Sequence, residues 1–280
     1  MNINWYPGHM KKTKELIKEQ LKLVDIVWEL VDARVPISSK NPDIDDLIKS
    51  KPKLIILNKK DLAEDRVTNE WIEYYKTKNY IMANNSLSPR QNDELMKKTK
   101  EILKEKIDRL KEKGVNKKVI RIMIVGIPNV GKSSIINSFL KKKSAKTGNR
   151  PGVTKGKQWI RLREDVELLD TPGVLWPKLE NQETGINLAL FGTIKDEIMD
   201  REELGYKLLE VLWPKYKSRF IDRYKIDEEF ESTLEIMDKI GEKRGCILKR
   251  GEIDYLRVSN LLLDDLRSGR LGKITLERPK

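Results

Sequence analysis

Short apolar runs separated by polar turns dominate the chain up to residue 170. Residues 10–24 differ, because their apolar side chains recur at helical spacing and predict an amphipathic helix. Residues 92–118 are a charged stretch that we expect to form one helix ending near Gly114. The short apolar runs end at polar residues, which is typical of buried parallel strands. We expect strands at residues 26–31, 54–57, 80–83, 120–125, 158–163 and 166–169.

This pattern predicts a six-stranded, mostly parallel sheet with helices on both faces. Near residue 178 the character of the chain changes. Strands and glycine-rich loops give way to helical segments such as residues 203–212 and 257–266. We therefore predict an α/β domain over residues 1–178 and a small all-helical domain over residues 179–280.

Residues 126–133, Gly-Ile-Pro-Asn-Val-Gly-Lys-Ser, match the phosphate-binding P-loop pattern in full. An apolar strand precedes them and a helix-compatible segment follows, as this motif requires. The glycines let backbone N–H groups point at phosphates, and the helix N-terminus adds its dipole. We expect Lys132 to bridge the β- and γ-phosphates and Ser133 to bind Mg²⁺. The predicted nucleotide contacts in this segment are Asn129, Val130, Gly131, Lys132, Ser133 and Ser134.

A second motif favours guanine over adenine. Asn58-Lys59-Lys60-Asp61 follows an apolar run and matches the pattern N-K-x-D. The Asp61 carboxylate can accept two hydrogen bonds from the guanine ring N–H and amine. Adenine presents an acceptor there and would leave a buried carboxylate unpaired, which disfavours a P-loop ATPase or kinase. We expect Asn58 to bond the purine and to help hold the loop, and the Lys59 stem to lie over the base.

Three further residues are expected around the γ-phosphate and the metal. Asp170-Thr171-Pro172-Gly173 follows a predicted strand and matches the pattern D-x-x-G. Asp170 is predicted to hold Mg²⁺ through water, and Gly173 to contact the γ-phosphate. Thr154 lies between this motif and the P-loop, where a threonine can close on the metal when the γ-phosphate is present.

The order of these motifs is circularly permuted. In most GTPases the N-K-x-D motif comes after the other two, but here it comes first. Loops at the carboxyl ends of parallel strands meet at one edge of a sheet, so the site survives a different choice of chain ends. Asn84-Asn85-Ser86 occupies the remaining guanine-loop position, with Asn85 and Ser86 as the expected contacts, although it departs from the usual S-A-K sequence. The segment after Asp170 now leads directly into the predicted helical domain.

Charge and cysteine content limit the expected partners and the expected cellular location. The chain has 57 lysines and arginines against 44 aspartates and glutamates, a formal net charge of +13. This excess favours a phosphate-rich partner such as nucleic acid, and a lysine-rich solubility surface is the alternative. Cys246 is the only cysteine, which excludes disulfides within one chain. No run approaches the roughly 20 apolar residues of a membrane span, so we expect a cytoplasmic protein without a membrane partner.

Several segments resemble the ribosome biogenesis GTPase A (YlqF/RbgA) family over nearly the whole chain. They are the permuted motifs, residues 5–10 (Trp-Tyr-Pro-Gly-His-Met), Val31-Asp32-Ala33-Arg34 and Leu271-Gly272-Lys273-Ile274. The resemblance implies a GTP phosphohydrolase that binds the large ribosomal subunit precursor and couples hydrolysis to a late step of its assembly. It implies that the C-terminal domain contacts ribosomal RNA. We expect a monomer with no DNA partner.

We expect specific roles in hydrolysis for two further residues, His9 and Asn129. After D-x-x-G the chain has Val174, whose apolar side chain cannot orient an attacking water. The resemblance gives a catalytic role to His9, the only histidine; packing of an N-terminal turn or contact with RNA is the alternative. Asn129 resembles the asparagine of potassium-activated GTPases, where it helps to bind K⁺. The alternative is that asparagine suits the turn at this position.

Two other functions remain open at this point. The chain could be an RNA-binding placeholder whose affinity is set by nucleotide state, with hydrolysis incidental. A related permuted GTPase acting on the small ribosomal subunit is also conceivable. Permuted GTPases of this kind that carry a zinc module need more cysteine and histidine than this chain has.

Overall fold

The computed structural model describes residues 10–77, 79–115, 119–140, 158–170, 181–194, 200–227 and 229–279, with residues 10–14, 89, 158 and 170 described by their backbone alone. The described residues fall into two compact units. The first runs to residue 170 and also takes in residues 275–279, and the second is Asn181–Ile274. The expected boundary at residue 178 lies outside the described residues and stays a prediction.

The first unit is built on a six-stranded sheet, as predicted. Its strands are β1 (Ile26–Asp32), β2 (Lys53–Asn58), β3 (Tyr80–Ala83), β4 (Ile120–Val125), β5 (Gln158–Arg163) and β6 (Val166–Asp170). Their order across the sheet is β3-β2-β1-β4-β6-β5. Only the edge strand β5 is antiparallel to its neighbour. The carboxyl ends of β1, β2, β3, β4 and β6 therefore meet at one edge.

Helices cover both faces of this sheet. They are α1 (Met10–Leu21), α2 (Pro42–Ile48), α3 (Asp65–Lys76), α4 (Pro89–Ile102), α5 (Lys104–Glu112) and α6 (Lys132–Leu140). Side chains of α1, α2 and α3 pack on one face. On the other face, Trp28 of β1 donates a hydrogen bond to Thr99 of α4 and its ring lies 6.2 Å from that of Phe139 of α6. All seven residues of β1 are buried, which explains why five of them are apolar; Glu29 and Asp32 are the buried charged exceptions.

The prediction of a single helix over residues 92–118 was wrong. The chain forms α4 and α5 instead, with Leu103 between them at φ −92° and ψ 4°. Leu103 is buried. The break is not visible in the sequence, because charged helical periodicity continues on both sides of Leu103 and no glycine or proline marks it.

The second unit is helical, as predicted. It contains α7 (Gln182–Leu190), α8 (Arg201–Tyr224), α9 (Thr233–Arg244) and α10 (Tyr255–Arg267). At its centre the buried Asp265 carboxylate accepts hydrogen bonds from Arg223, Arg270 and the Tyr224 hydroxyl. These partners satisfy a charge that would be costly to bury alone. No helix in the described ranges is long and apolar enough to cross a membrane.

The end of the chain, residues 275–279, returns to the first unit. The Leu276 N–H donates to the Arg34 carbonyl (2.9 Å), and the Glu64 N–H donates to the Thr275 hydroxyl (3.0 Å). Further hydrogen bonds join Glu277 to Ile37, Ser38 and Trp71. The hydrophobic pattern did not predict this return, because the segment is short and carries no periodic apolar residues.

Gly205 of α8 gives a test of the helical packing. A Cβ atom on Gly205 would lie 2.1 Å from Oγ and 2.7 Å from Cα of Ser259 on α10. A change of side-chain rotamer cannot relieve the contact with Cα. We expect Gly205→Ala to lower the free energy of unfolding of this unit by about 1–3 kcal/mol, although alanine favours helix. Urea unfolding of the full chain, with hydrogen exchange of α8 and α10, measures this.

Glu210→Ala is the matched control, because Glu210 is exposed on the same helix. Its effect should stay within about 0.5 kcal/mol. Equal unfolding of Gly205→Ala and wild type would contradict the packing described for α8 and α10.

Candidate functional site: a guanine nucleotide pocket

The phosphate loop connects the buried strand β4 to α6. Gly131 adopts φ +101° and Asn129 adopts φ +61°, in the left-handed region that glycine and asparagine tolerate best. The conformation of Asn129 thus suits asparagine whether or not it binds a cation. Val130 is buried and Asn129 is exposed. The loop therefore has the curled backbone that a phosphate cradle requires.

Lys132, the first residue of α6, closes this loop on itself. Its ammonium group donates to the carbonyl oxygens of Gly126 and Ile127, both at 2.8 Å. Ser133 and Ser134 follow in the first turn of the same helix and are half-buried. The helix N-terminus, the lysine and the two hydroxyls together form a site suited to phosphate oxygens.

Asn58 ties the guanine motif to the phosphate loop. It ends β2 and is fully buried, and its Nδ2 donates to the Val130 carbonyl at 2.7 Å. The approach leaves no space at Gly131, where a Cβ atom would lie 2.2 Å from Asn58 Nδ2. Asp61 sits half-buried in the short 3₁₀ turn Lys60–Leu62 that follows. The structure thus brings both predicted motifs to the same sheet edge.

The loop after β3 braces Asn58. The Ser86 hydroxyl donates to Asn58 Oδ1 at 2.6 Å, and Asn84 Nδ2 donates to the same oxygen at 3.1 Å. Asn85 is turned to its own loop, because its N–H donates to Gln91 and its Oδ1 accepts from the Leu87 N–H. Direct guanine contacts of Asn85 and Ser86 stay predictions. The role of Asn84 as a brace was missed, since nothing in the local sequence points to Asn58.

Lys59 crosses from the guanine motif to the phosphate loop. Its ammonium group donates to the Asn129 carbonyl at 2.6 Å and lies 3.0 Å from Oδ2 of Asp32. Asp32 ends β1 and is held in turn by Arg34. In the sequence, Asp32 and Arg34 stand out only as part of a family resemblance. A local signal for them is a pair of opposite charges at the end of a fully buried strand and just after it.

The remaining predicted residues are Asp170, Thr154, Gly173 and His9. Asp170 ends β6 and pairs with Ile124 of β4, which places its backbone beside the strand that leads into the phosphate loop. Thr154, Gly173 and His9 lie outside the described residues. Their roles therefore stay predictions.

The oxygen donors at this edge fit Mg²⁺ bound with a nucleotide. Ser133 offers a hydroxyl in the first turn of α6, and Asp170 is a carboxylate residue at the end of the adjacent strand. Mg²⁺ bound with nucleotides commonly uses one or two protein oxygens together with phosphates and waters. When bound, the ion would neutralise charge on the phosphate oxygens.

Comparison with known proteins identifies the family. Residues 121–210 match the family model described as a 50S ribosome-binding GTPase. Ribosome biogenesis GTPase A of Bacillus cereus is 47% identical to this chain over 100% of the chain and 95% of its own length. The chain belongs to the ribosome biogenesis GTPase A family. The resemblance stated from the motifs is confirmed.

Ribosome biogenesis GTPase A relatives share the fold as well as the sequence. The Thermotoga maritima member is 32% identical over 99% of this chain and 95% of its own length. The crystal structure of GNP-bound YlqF from T. maritima has a TM-score of 0.66 and 29% identity, and it covers 96% of this chain and 99% of that chain. These likenesses confirm the circularly permuted GTPase fold. Membership also confirms the enzyme class, a GTP phosphohydrolase of ribosome biogenesis.

Gly131 gives a direct test of the pocket. We expect Gly131→Ala to weaken binding of fluorescent GDP at least about tenfold, because the added Cβ would displace Asn58. Gly114→Ala is the matched control, since Gly114 also has positive φ (+78°) but open space around it. Equal GDP dissociation constants for the two variants would contradict the close approach of Asn58 to the loop.

Proposed function

We propose that this GTPase binds the precursor of the large ribosomal subunit and couples GTP hydrolysis to a late step of its assembly. The observation that carries the proposal is the full-length likeness to ribosome biogenesis GTPase A, together with the match to the 50S ribosome-binding GTPase model. The chain acts in the cytoplasm as a monomer. Its helical unit contacts ribosomal RNA, as the resemblance to the family implies. The net charge of +13 belongs to the chain as a whole, and it favours a phosphate-rich partner for the chain.

Chain connectivity supports coupling between the nucleotide and the helical unit. That unit follows β6, whose last residue is the predicted metal residue Asp170. It is followed by residues 275–279, which hydrogen-bond to Arg34 and Glu64 in the nucleotide-binding unit. Both ends of the helical unit are thus joined to segments near nucleotide-binding loops. A partner that binds this unit can therefore bias the switch segment that precedes it.

Few residues account for the chemistry of GTP hydrolysis at the phosphates. Lys132 supplies a positive charge for the β- and γ-phosphates, and Ser133 supplies an oxygen for Mg²⁺. Neither can activate water. Val174 cannot orient the attacking water, and the resemblance to the family assigns that role to His9 once the ribosomal precursor is bound. Hydrolysis by the free protein is consequently slow.

Large ribosomal subunits and a His9 variant test this account together. We expect purified subunit precursors to raise steady-state GTP hydrolysis of wild type by at least about tenfold in potassium buffer, since a well-placed catalytic group contributes two or more orders of magnitude. His9→Ala should lose this stimulation and keep its affinity for a fluorescent GTP analogue.

Equal rates with and without precursors would contradict the coupling. If precursors stimulate His9→Ala as they stimulate wild type, a group other than His9 orients the water. A variant that binds GTP without hydrolysing it, and yet supports normal subunit maturation in cells, would favour the RNA-binding placeholder.

Potassium is a separate element of the proposal. The Asn129 carboxamide contributes a K⁺ ligand near the phosphates, where a cation would stabilise charge that develops during hydrolysis. We expect wild type to hydrolyse GTP at least about tenfold faster in K⁺ than in Na⁺ at equal ionic strength. Asn129→Gly, which keeps the positive φ accessible, should have equal rates in the two salts. An unchanged K⁺ preference in this variant would mean that Asn129 serves only the turn conformation and does not bind K⁺.

A further inference from the structure

A buried carboxylate lies beside the nucleotide pocket and belongs to none of its motifs. Asp32 ends β1, and its side chain is only 5% exposed. Its backbone N–H donates to the Ser39 hydroxyl at 2.9 Å. The register of the sheet pairs Asp32 with Asn58, the first residue of the guanine motif. Asp32 is therefore built into the edge from which the nucleotide-binding loops emerge.

Arg34 fixes both oxygens of this carboxylate. Its Nε donates to Oδ1 at 2.9 Å and its Nη2 donates to Oδ2 at 2.8 Å. The backbone N–H of Arg34 also donates to Oδ1, at 3.1 Å. Such a two-pronged grip sets the orientation of a carboxylate as well as its position. Burial alone would raise the pKa of Asp32, but Arg34 and Lys59 outweigh burial and hold that pKa well below its usual range.

The same carboxylate faces Lys59. Oδ2 of Asp32 lies 3.0 Å from the Lys59 ammonium, which also donates to the Asn129 carbonyl of the phosphate loop at 2.6 Å. The Lys59 backbone has φ +60° and ψ +34°, a left-handed conformation that lysine rarely adopts. The ammonium group is thus held between the end of β1 and the phosphate loop, and the lysine stem spans the gap between them.

We infer that Asp32, held by Arg34, is a positioning residue for Lys59 in guanine nucleotide binding. A free lysine side chain has many rotamers, and ordering it upon binding weakens affinity. Asp32 orders Lys59 in the folded protein, so that the stem is in place before the base arrives. Loss of Asp32 should therefore raise the nucleotide dissociation constant through Lys59. The inference rests on the GTPase activity and is independent of the ribosomal step.

A double-mutant cycle distinguishes this role from a purely structural one. We expect Asp32→Asn to weaken binding of fluorescent GDP about tenfold, and less than about twofold in a Lys59→Met background, because residues in contact are not additive. Methionine keeps the apolar stem and removes the ammonium group. The assay uses the full chain without ribosomes, so its outcome is separate from that of the proposed assembly function.

Asp25→Asn is the matched control. Asp25 lies just before the opposite end of β1, is also buried, and is paired with Lys106 at 2.7 Å. This variant should bind GDP within about twofold of wild type, because it does not contact Lys59.

Two results would overturn the inference. One is an equal loss of GDP affinity from Asp32→Asn in the wild-type and Lys59→Met backgrounds, which would make Asp32 a support of the fold alone. The other is a folded Asp32→Asn that binds GDP like wild type. If Asp32→Asn does not fold, Arg34→Lys replaces it, since lysine keeps the charge and loses the two-pronged grip. That variant should weaken binding about threefold in wild type and not in Lys59→Met; equal effects in both would again overturn the inference.

Discussion

The nucleotide pocket depends on the hydrogen bonds that the Asn58 carboxamide makes. This carboxamide is fully buried, donates to the phosphate loop at Val130, and accepts hydrogen bonds from Asn84 and Ser86. One side chain thus joins the ends of three strands. Because a buried amide without partners is costly, the three loops are stable only in the arrangement that satisfies it. That arrangement brings the N-K-x-D motif against the phosphate loop.

Circular permutation leaves this contact intact and changes which segments of the chain adjoin the nucleotide-binding loops. The loops still emerge from the carboxyl ends of parallel strands, so the site does not depend on where the chain begins. In the chain, the helical unit now comes after β6 and the predicted switch segment. Its far end leads into residues 275–279, which bond to the backbone of Arg34, the residue that holds Asp32. Residues 275–279 therefore complete the first unit, although they follow the helical unit in the chain.

Much of the fold could be predicted because its signals are local. Each apolar run became a strand, and the P-loop pattern lies between a strand and a helix as expected. The contacts that assemble the site are not local. Asn58 and Val130 are 72 positions apart, and their meeting depends on strand order. The pairing of Asp32 with Lys59 depends on the same order. Local propensity does not mark the break at Leu103, which is buried in the fold.

Hydrogen exchange of Asn58→Ala without nucleotide tests most directly whether one side chain holds the loops together. The account predicts that amides in residues 126–131 and 84–88 of this variant exchange faster than in wild type, together and to a similar extent. Both segments lose their shared partner in the variant. Faster exchange confined to residues 58–62, with the phosphate loop and the loop after β3 unchanged, would contradict it.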